Sequence, residues 1–132
     1  MDVERLRALP LFGELDHHDL SVVASWVHEI HLDAGEPLVE QGAIPRDLVV
    51  IERGTVEVVR DGERLATLGP GDVVGEMGLL NQQRAMATVR AVEPVVAIAL
   101  APERLGEMSE QMPELTDRLR AVAAERDRAN EG

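Results

Sequence analysis

The chain has 132 residues, 45% hydrophobic and 29% charged, the size and balance of one globular domain rather than a disordered segment. It contains no Cys, which excludes disulfides, thiolate nucleophiles and cysteine metal sites, and its aromatics are limited to Phe12 and Trp26. A net charge of −12 opposes phosphate backbones and anionic lipid, so nucleic acid and membrane surfaces are poor partners.

The start, with Asp2 and Glu4, does not read as a secretory signal. The longest apolar run, Val95 to Ala101, falls far short of the roughly 20 residues of a membrane helix. A soluble cytoplasmic domain is expected. Leu6 and Leu9 ahead of Pro10-Leu11-Phe12 predict a short helix and a turn. Asp16 reads as an N-cap with Asp19 in the first helical turn, and Leu20, Val23, Ala24 and Val27 then form one apolar helix face.

From residue 28 the period changes. Ile30 and Leu32 alternate with polar neighbours, Asp33 to Pro37 reads as a turn, and Leu38 to Glu40 is a short strand stopped by Gln41-Gly42. Leu48 to Ile51, Val56 to Val59 and Leu65 to Leu68 are further strands, separated by Gly54 and by Asp61-Gly62. The Asp-Gly pair is a hairpin signal because a tight hairpin turn needs positive φ. Gly69-Pro70-Gly71-Asp72 has Pro and Gly where a type II turn wants them. Ala87 to Val92 and the wholly apolar Val95 to Leu100 complete the set, the latter expected to be buried on both faces.

These elements predict a mainly β fold with flanking α-helices: an antiparallel jelly-roll barrel at 28–101, N-terminal helices at 1–27 and C-terminal helices at 102–130. Pro102 and Pro113 each suit a first helical turn. Met108, Met112, Leu115, Leu119, Val122 and Arg126 repeat every three or four residues. Two readings of that stripe stay open, packing against the barrel or a seam for a homodimer through the C-terminal helix.

The segment from Gly69 to Ala91 carries the chemistry. Gly75-Glu76-Met77-Gly78-Leu79-Leu80 places two glycines and a helical turn between strands, where outward backbone N–H groups make an anion site. Arg84 is the only cation between Asp72 and Val89, hence the natural partner of such an anion, although a plain surface charge is the alternative. Glu76 beside an anion site suits a hydroxyl donor such as a ribose 2′-OH, or else a helix-capping role.

Taken in order and spacing, several motifs resemble the cyclic nucleotide-binding domain family of catabolite activator proteins, cyclic-nucleotide-dependent kinase regulatory subunits and gated channels. They are Pro10-Leu11-Phe12, Gly35-Glu36, Gln41-Gly42, Gly54-Thr55-Val56, Leu65 to Asp72, Gly75-Glu76 with Leu79-Leu80, Ala87-Thr88-Val89 and Pro113-Glu114-Leu115. The resemblance implies that Glu76 accepts the ribose 2′-OH, that amides of Gly75 to Gly78 receive the cyclic phosphate, and that an arginine neutralises it.

In the family that arginine usually stands two residues before the alanine of an A-T-V-like strand. Here that position is Ala85, and Arg84 sits one residue earlier, where the family often has Pro. Successive side chains of extended backbone point to opposite sides, so the offset aims Arg84 away from the pocket unless a bulge or an altered turn in Asn81-Gln82-Gln83 returns it. Met86, where the family has a small residue, would crowd the phosphate in an unshifted register.

The implied ligand-binding set is Val74, Gly75, Glu76, Met77, Gly78, Leu79, Arg84, Ala85, Met86 and Thr88. The implied ligand is cAMP, with cGMP second, because relatives preferring cGMP often place Thr or Ser where Ala85 follows Arg84. No cofactor is implied. The function so implied is a non-enzymatic regulatory sensor whose C-terminal helices pass occupancy to a separate effector protein or a missing effector domain. The alternative is a ligand-free interaction or dimerisation module on the same fold. His17, His18, His28 and His31 lack a convincing third-ligand spacing for a metal, and Ser21, Ser25 and Ser109 lack a glycine elbow.

Overall fold

The structure is a computed structural model in which residues 1–44, 47–74, 84–101 and 103–121 are described. Helices Val3–Arg7 (α1) and His17–Trp26 (α2) come first. Strands Val27–Leu32 (β1), Pro37–Val39 (β2), Leu48–Arg53 (β3), Val56–Arg60 (β4), Glu63–Leu68 (β5), Val73–Val74 (β6), Thr88–Ala91 (β7) and Val95–Leu100 (β8) follow. Helix Glu103–Gln111 (α3) and a helical run at 113–121 close the described chain. Asp16 caps α2 as its sequence position predicts, its Oδ1 accepting from the Asp19 N–H at 2.8 Å. Asp2 caps α1 in the same way, accepting from Glu4 N–H at 2.9 Å.

The strands form two four-stranded antiparallel sheets, ordered β1-β8-β3-β6 and β2-β7-β4-β5. The fold is mainly β with flanking helices, a jelly-roll arrangement in which the two sheets face one another. Among the described residues, ladder hydrogen bonds do not join them into one closed barrel.

Side-chain alternation makes this a three-layered molecule. Val49 and Ile51 of β3, Val74 of β6 and Val95, Ala97 and Ala99 of β8 meet Val56, Val89 and Ala91 of the second sheet. Their neighbours Leu48, Val50, Val73, Ile98 and Leu100 point the other way, into a cluster with Leu6, Phe12, Leu20 and Val23 of the N-terminal segment. The apolar β8 is thus buried on both faces, as its composition predicts.

Met108, Met112, Leu115 and Leu119 all join that helix-side cluster, Leu119 with no exposure at all. The described part of the stripe therefore packs into the chain's own core, the first of the two readings, and these four side chains have almost no surface left for a second copy. Val122 and Arg126 lie outside the described residues. Polar ties reinforce the layer. Arg118 donates to the Leu11 carbonyl at 3.1 Å and pairs with Glu14, and the Arg104 guanidinium lies 5.8 Å from the Trp26 ring centroid. Arg5 of α1 pairs with Glu52 of β3 and Glu29 of β1, which holds the Glu29 carboxyl below its ordinary range, with His31 assisting. Among the described residues, no helix is long and apolar enough to cross a membrane.

The turns follow their sequences closely. Asp61 and Gly62 both have positive φ, 53° and 83°, as the β4–β5 hairpin requires. Asp33–Glu36, Glu40–Ala43 and Gly69–Asp72 repeat one device. In each, the first carbonyl accepts from the fourth N–H at 3.0–3.1 Å, and the third residue is a glycine at φ 88–91°. That glycine and its successor then stand opposite one residue of a neighbouring segment, Ala91, Ala85 and Ile51 respectively, as a glycine-initiated β-bulge.

Candidate functional site

The middle bulge organises the site. Gly42 N–H donates to the Ala85 carbonyl at 2.8 Å, and Ala85 N–H donates to the Ala43 carbonyl at 2.7 Å. This pairing extends the β2–β7 ladder beyond both strands and fixes the segment at 84–86 against the turn that follows β2. Within it the side chains alternate: Ala85 is half-buried, whereas Arg84 and Met86 are exposed, Met86 by 58%.

Arg84 and Ala85 thus face opposite sides of this segment, with the alanine on the more buried side. Arg84 nevertheless comes back to the rim, because its Nη1 donates to the Gly42 carbonyl at 2.9 Å. A bulge is present here on the partner segment Gly42-Ala43, opposite Ala85; Asn81-Gln82-Gln83 lie outside the described residues. Met86 stands in solvent instead of filling the rim.

Beside this rim lies a cleft of about 240 Å³. Ile30, Leu38, Val39 and Val49 form its apolar wall, and Glu40, Ala43, Ile44 and Asp47 line the rest. Small-molecule sites commonly occupy about 300–1,000 Å³, so these residues supply only part of a pocket for a nucleotide-sized ligand. Val74, paired with Val49 in the β3–β6 ladder and buried between the sheets, leads the chain directly to Gly75. Gly75, Glu76, Met77, Gly78 and Leu79 lie outside the described residues.

The field at the rim is mixed. Glu40 and Asp47 are carboxylates on the cleft, so an anion entering it requires a local cation, and Arg84 is placed one residue from the lining Ala43. Thr88, at the start of β7, has its hydroxyl oxygen accepting the Gln41 N–H at 3.0 Å. β7 is braced along its other edge by Glu57 of β4, which takes Arg90 Nε at 2.6 Å and Arg64 Nε at 2.9 Å. Arg90 first, then Arg64, holds the Glu57 carboxyl below its ordinary value. His31 contacts Glu29 at 3.0 Å and His28 lies 3.9 Å from Asp47. Among the described residues, no three metal-ligating side chains converge.

Sequence reasoning treated Gln41-Gly42 only as a strand stop and a family motif. The structure adds the Gly42 carbonyl, the Ala43 backbone and the wall of Ile30, Leu38, Val39 and Val49. The available signal was Gly42 itself, since a glycine after a short strand marks a bulge as well as a turn.

The sequence model of the cyclic nucleotide-binding domain matches residues 29–112. The chain belongs to the cyclic nucleotide-binding domain family. Among family relatives, the cAMP-dependent protein kinase regulatory subunit of Yarrowia lipolytica is 34% identical over 90 residues, 68% of this chain and 24% of that protein. The crystal structure of Thermus thermophilus catabolite activator protein matches with a TM-score of 0.81 at 30% identity, over 92% of this chain and 60% of that one. A further neighbour is the regulatory subunit of a cAMP-independent protein kinase A from Trypanosoma brucei. Its structure is of a triple variant, one threonine replaced by arginine, bound to cAMP in the A site; it matches with a TM-score of 0.80 at 25% identity, over 92% of this chain and 45% of that one. The chain spans between 17% and 58% of the length of the first curated relatives it matches, a glutaminase among them.

Proposed function

We propose that this domain is a non-catalytic regulatory sensor that binds cAMP in preference to cGMP and passes occupancy to an effector through its C-terminal helices. The observation that carries the reading is the return of Arg84 to the Gly42 carbonyl at the rim of the apolar cleft, in a chain whose net charge otherwise repels anions. In this reading the wall of Ile30, Leu38, Val39 and Val49 takes the apolar surface of the nucleotide, with Ala85, Met86 and Thr88 around the entrance and the buried Val74 beside Val49. Glu76 and the amides of Gly75 to Leu79 take the ribose and phosphate. The relay runs through β8, whose opposite faces touch the inter-sheet cluster and the cluster containing Met108, Met112, Leu115 and Leu119. Two helix arrangements of different ligand affinity are what such a sensor requires.

Titration calorimetry with cAMP and cGMP on the wild type and Arg84→Ala tests this reading. A charge-assisted hydrogen bond contributes about 1.5–3 kcal/mol, so the variant is expected to bind about 10- to 100-fold more weakly. No heat up to millimolar cAMP, or equal affinity in the variant, overturns it.

The second reading, a ligand-free interaction module, draws on the half-buried Ala85 at the family's arginine position. It also draws on the trypanosome kinase subunit, described as cAMP-independent yet bound to cAMP as a variant with an introduced arginine. Under it, no cyclic nucleotide shifts the melting temperature of the wild type, whereas Ala85→Arg gains a cAMP-dependent shift.

A further inference from the structure

The Gly42 carbonyl can hold Arg84 only if the turn that carries it is itself held, and the hold comes from outside the pocket. Gln41 Nε2 donates to Asp61 Oδ1 at 2.9 Å, and Asp61 N–H donates to Gln41 Oε1 at 3.1 Å. One amide side chain thereby engages a backbone donor and a carboxylate acceptor of the same residue, at the tip of the β4–β5 hairpin. The Gln41 backbone is fixed as well, by its N–H bond to Thr88 Oγ1 at 3.0 Å. Gln41 directly precedes the glycine whose carbonyl takes Arg84, so an unbroken path runs Asp61, Gln41, Gly42, Arg84.

Asp61 sits at φ 53°, a conformation that costs most residues energy and that Asp and Asn tolerate. That geometry aims its N–H and its carboxylate together at Gln41. Among the described residues, the hairpin tip makes no other hydrogen bond outside its own hairpin.

We infer that Gln41 and Asp61 are positioning residues for Arg84: a clamp between the hairpin tip and the turn after β2 that sets where the guanidinium stands at the pocket rim. The role in binding rests on the function proposed above, whereas the clamp itself is testable without any ligand. Gln41→Ala breaks it at constant charge. Gln41→Glu replaces the donor by a carboxylate facing Asp61. Asp61→Asn keeps an acceptor for Gln41 and tolerates the positive φ. Combining Gln41→Glu with Asp61→Asn reverses the direction of the bond, since the new amide can donate to the new carboxylate, and restores the wild-type net charge.

Two measurements on ligand-free protein are read first: amide exchange at Gly42 and Ala85, and the Arg84 Nε–H resonance by NMR. Gln41→Ala and Gln41→Glu are expected to speed exchange at both amides and shift the arginine signal. Asp61→Asn and the reversed pair are expected to match the wild type. In cAMP titration the two broken variants are expected to lose about three- to tenfold in affinity, the worth of one ordinary hydrogen bond, and the reversed pair to recover it. Unchanged exchange and arginine signal in Gln41→Ala overturn the clamp, and so does a reversed pair that rescues neither. Altered exchange with unchanged cAMP affinity overturns the positioning role. A wild type that binds no cAMP defeats the proposed function instead, and the clamp is then judged on the ligand-free signals alone.

Discussion

Two glycines of this chain make a matched experiment. Gly35 and Gly42 share φ +88°, each is the third residue of a four-residue turn, each opens a bulge, and an added Cβ at either meets nothing within 4 Å. Replacing either by Ala therefore incurs no clash and only the strain of a left-handed L-residue, about 1–2 kcal/mol, or roughly a 5- to 30-fold change in the unfolding constant. Gly54 supplies the contrast: at φ +90° its added Cβ falls 2.4 Å from the Pro94 carbonyl oxygen, a backbone atom that no rotamer change can move. Overpacking adds to the strain there, so Gly54→Ala is expected to lose about 2–5 kcal/mol. Urea unfolding gives all three values, and cAMP titration separates the first two, because only Gly42 carries the carbonyl that receives Arg84. Gly42→Ala should weaken cAMP binding while Gly35→Ala leaves it unchanged. The reasoning is refuted if Gly35→Ala and Gly42→Ala differ in stability by more than roughly 0.5 kcal/mol, beyond the few tenths that unfolded-state effects contribute. It is equally refuted if Gly54→Ala proves no costlier than the other two.

Leu119→Ala, at a position with no exposure, is expected to lose about 2–5 kcal/mol, whereas Arg120→Ala at an exposed neighbour stays within about 0.5 kcal/mol. Because the burial is within one chain, the Leu119→Ala loss should not change when protein concentration is raised about tenfold; a concentration-dependent midpoint would assign Leu119 to an interface instead. Glu57 has a folded-state pKa below its ordinary 4.5, so its contribution to stability is present above about pH 4.5 and is lost as pH falls through the depressed folded value. Glu57→Gln should flatten the acid limb of urea midpoint against pH below 4.5; an unaltered slope would show that the Arg90 and Arg64 contacts do not bias folding.

The parts of the fold that the sequence exposed are those set by a residue's own backbone. Asp61-Gly62, Pro70-Gly71 and the Asp16 cap each declare a dihedral angle or an orphan N–H that local chemistry must satisfy, and each appears where the sequence places it. Burial of β8 on both faces follows just as directly from a run with no polar residue. The destination of the C-terminal stripe was undecided because spacing fixes which side chains share a face and says nothing of what that face meets; the cluster with Leu6, Phe12 and Leu20 supplies the answer. Of the residues singled out for the site, Gly75 and Glu76 lie outside the described residues, and the described geometry around Arg84 depends on partners far apart in sequence. Arg84 finds a carbonyl 42 residues away, and Gln41 finds a hairpin tip 20 residues away. Backbone carbonyls carry no residue-type signature, so no motif announces them.

β8 stands as a single-strand partition between two interiors, Ala97 and Ala99 on one side and Ile98 and Leu100 on the other. The two compartments share a wall with no thickness to spare. The small alanines face the opposing sheet with no exposed surface, so enlarging either would push the strand toward the helical layer. Substitutions in this strand consequently cannot be divided into those that alter the inter-sheet interior and those that alter the helical layer, and the size of one space constrains how the other can be rebuilt.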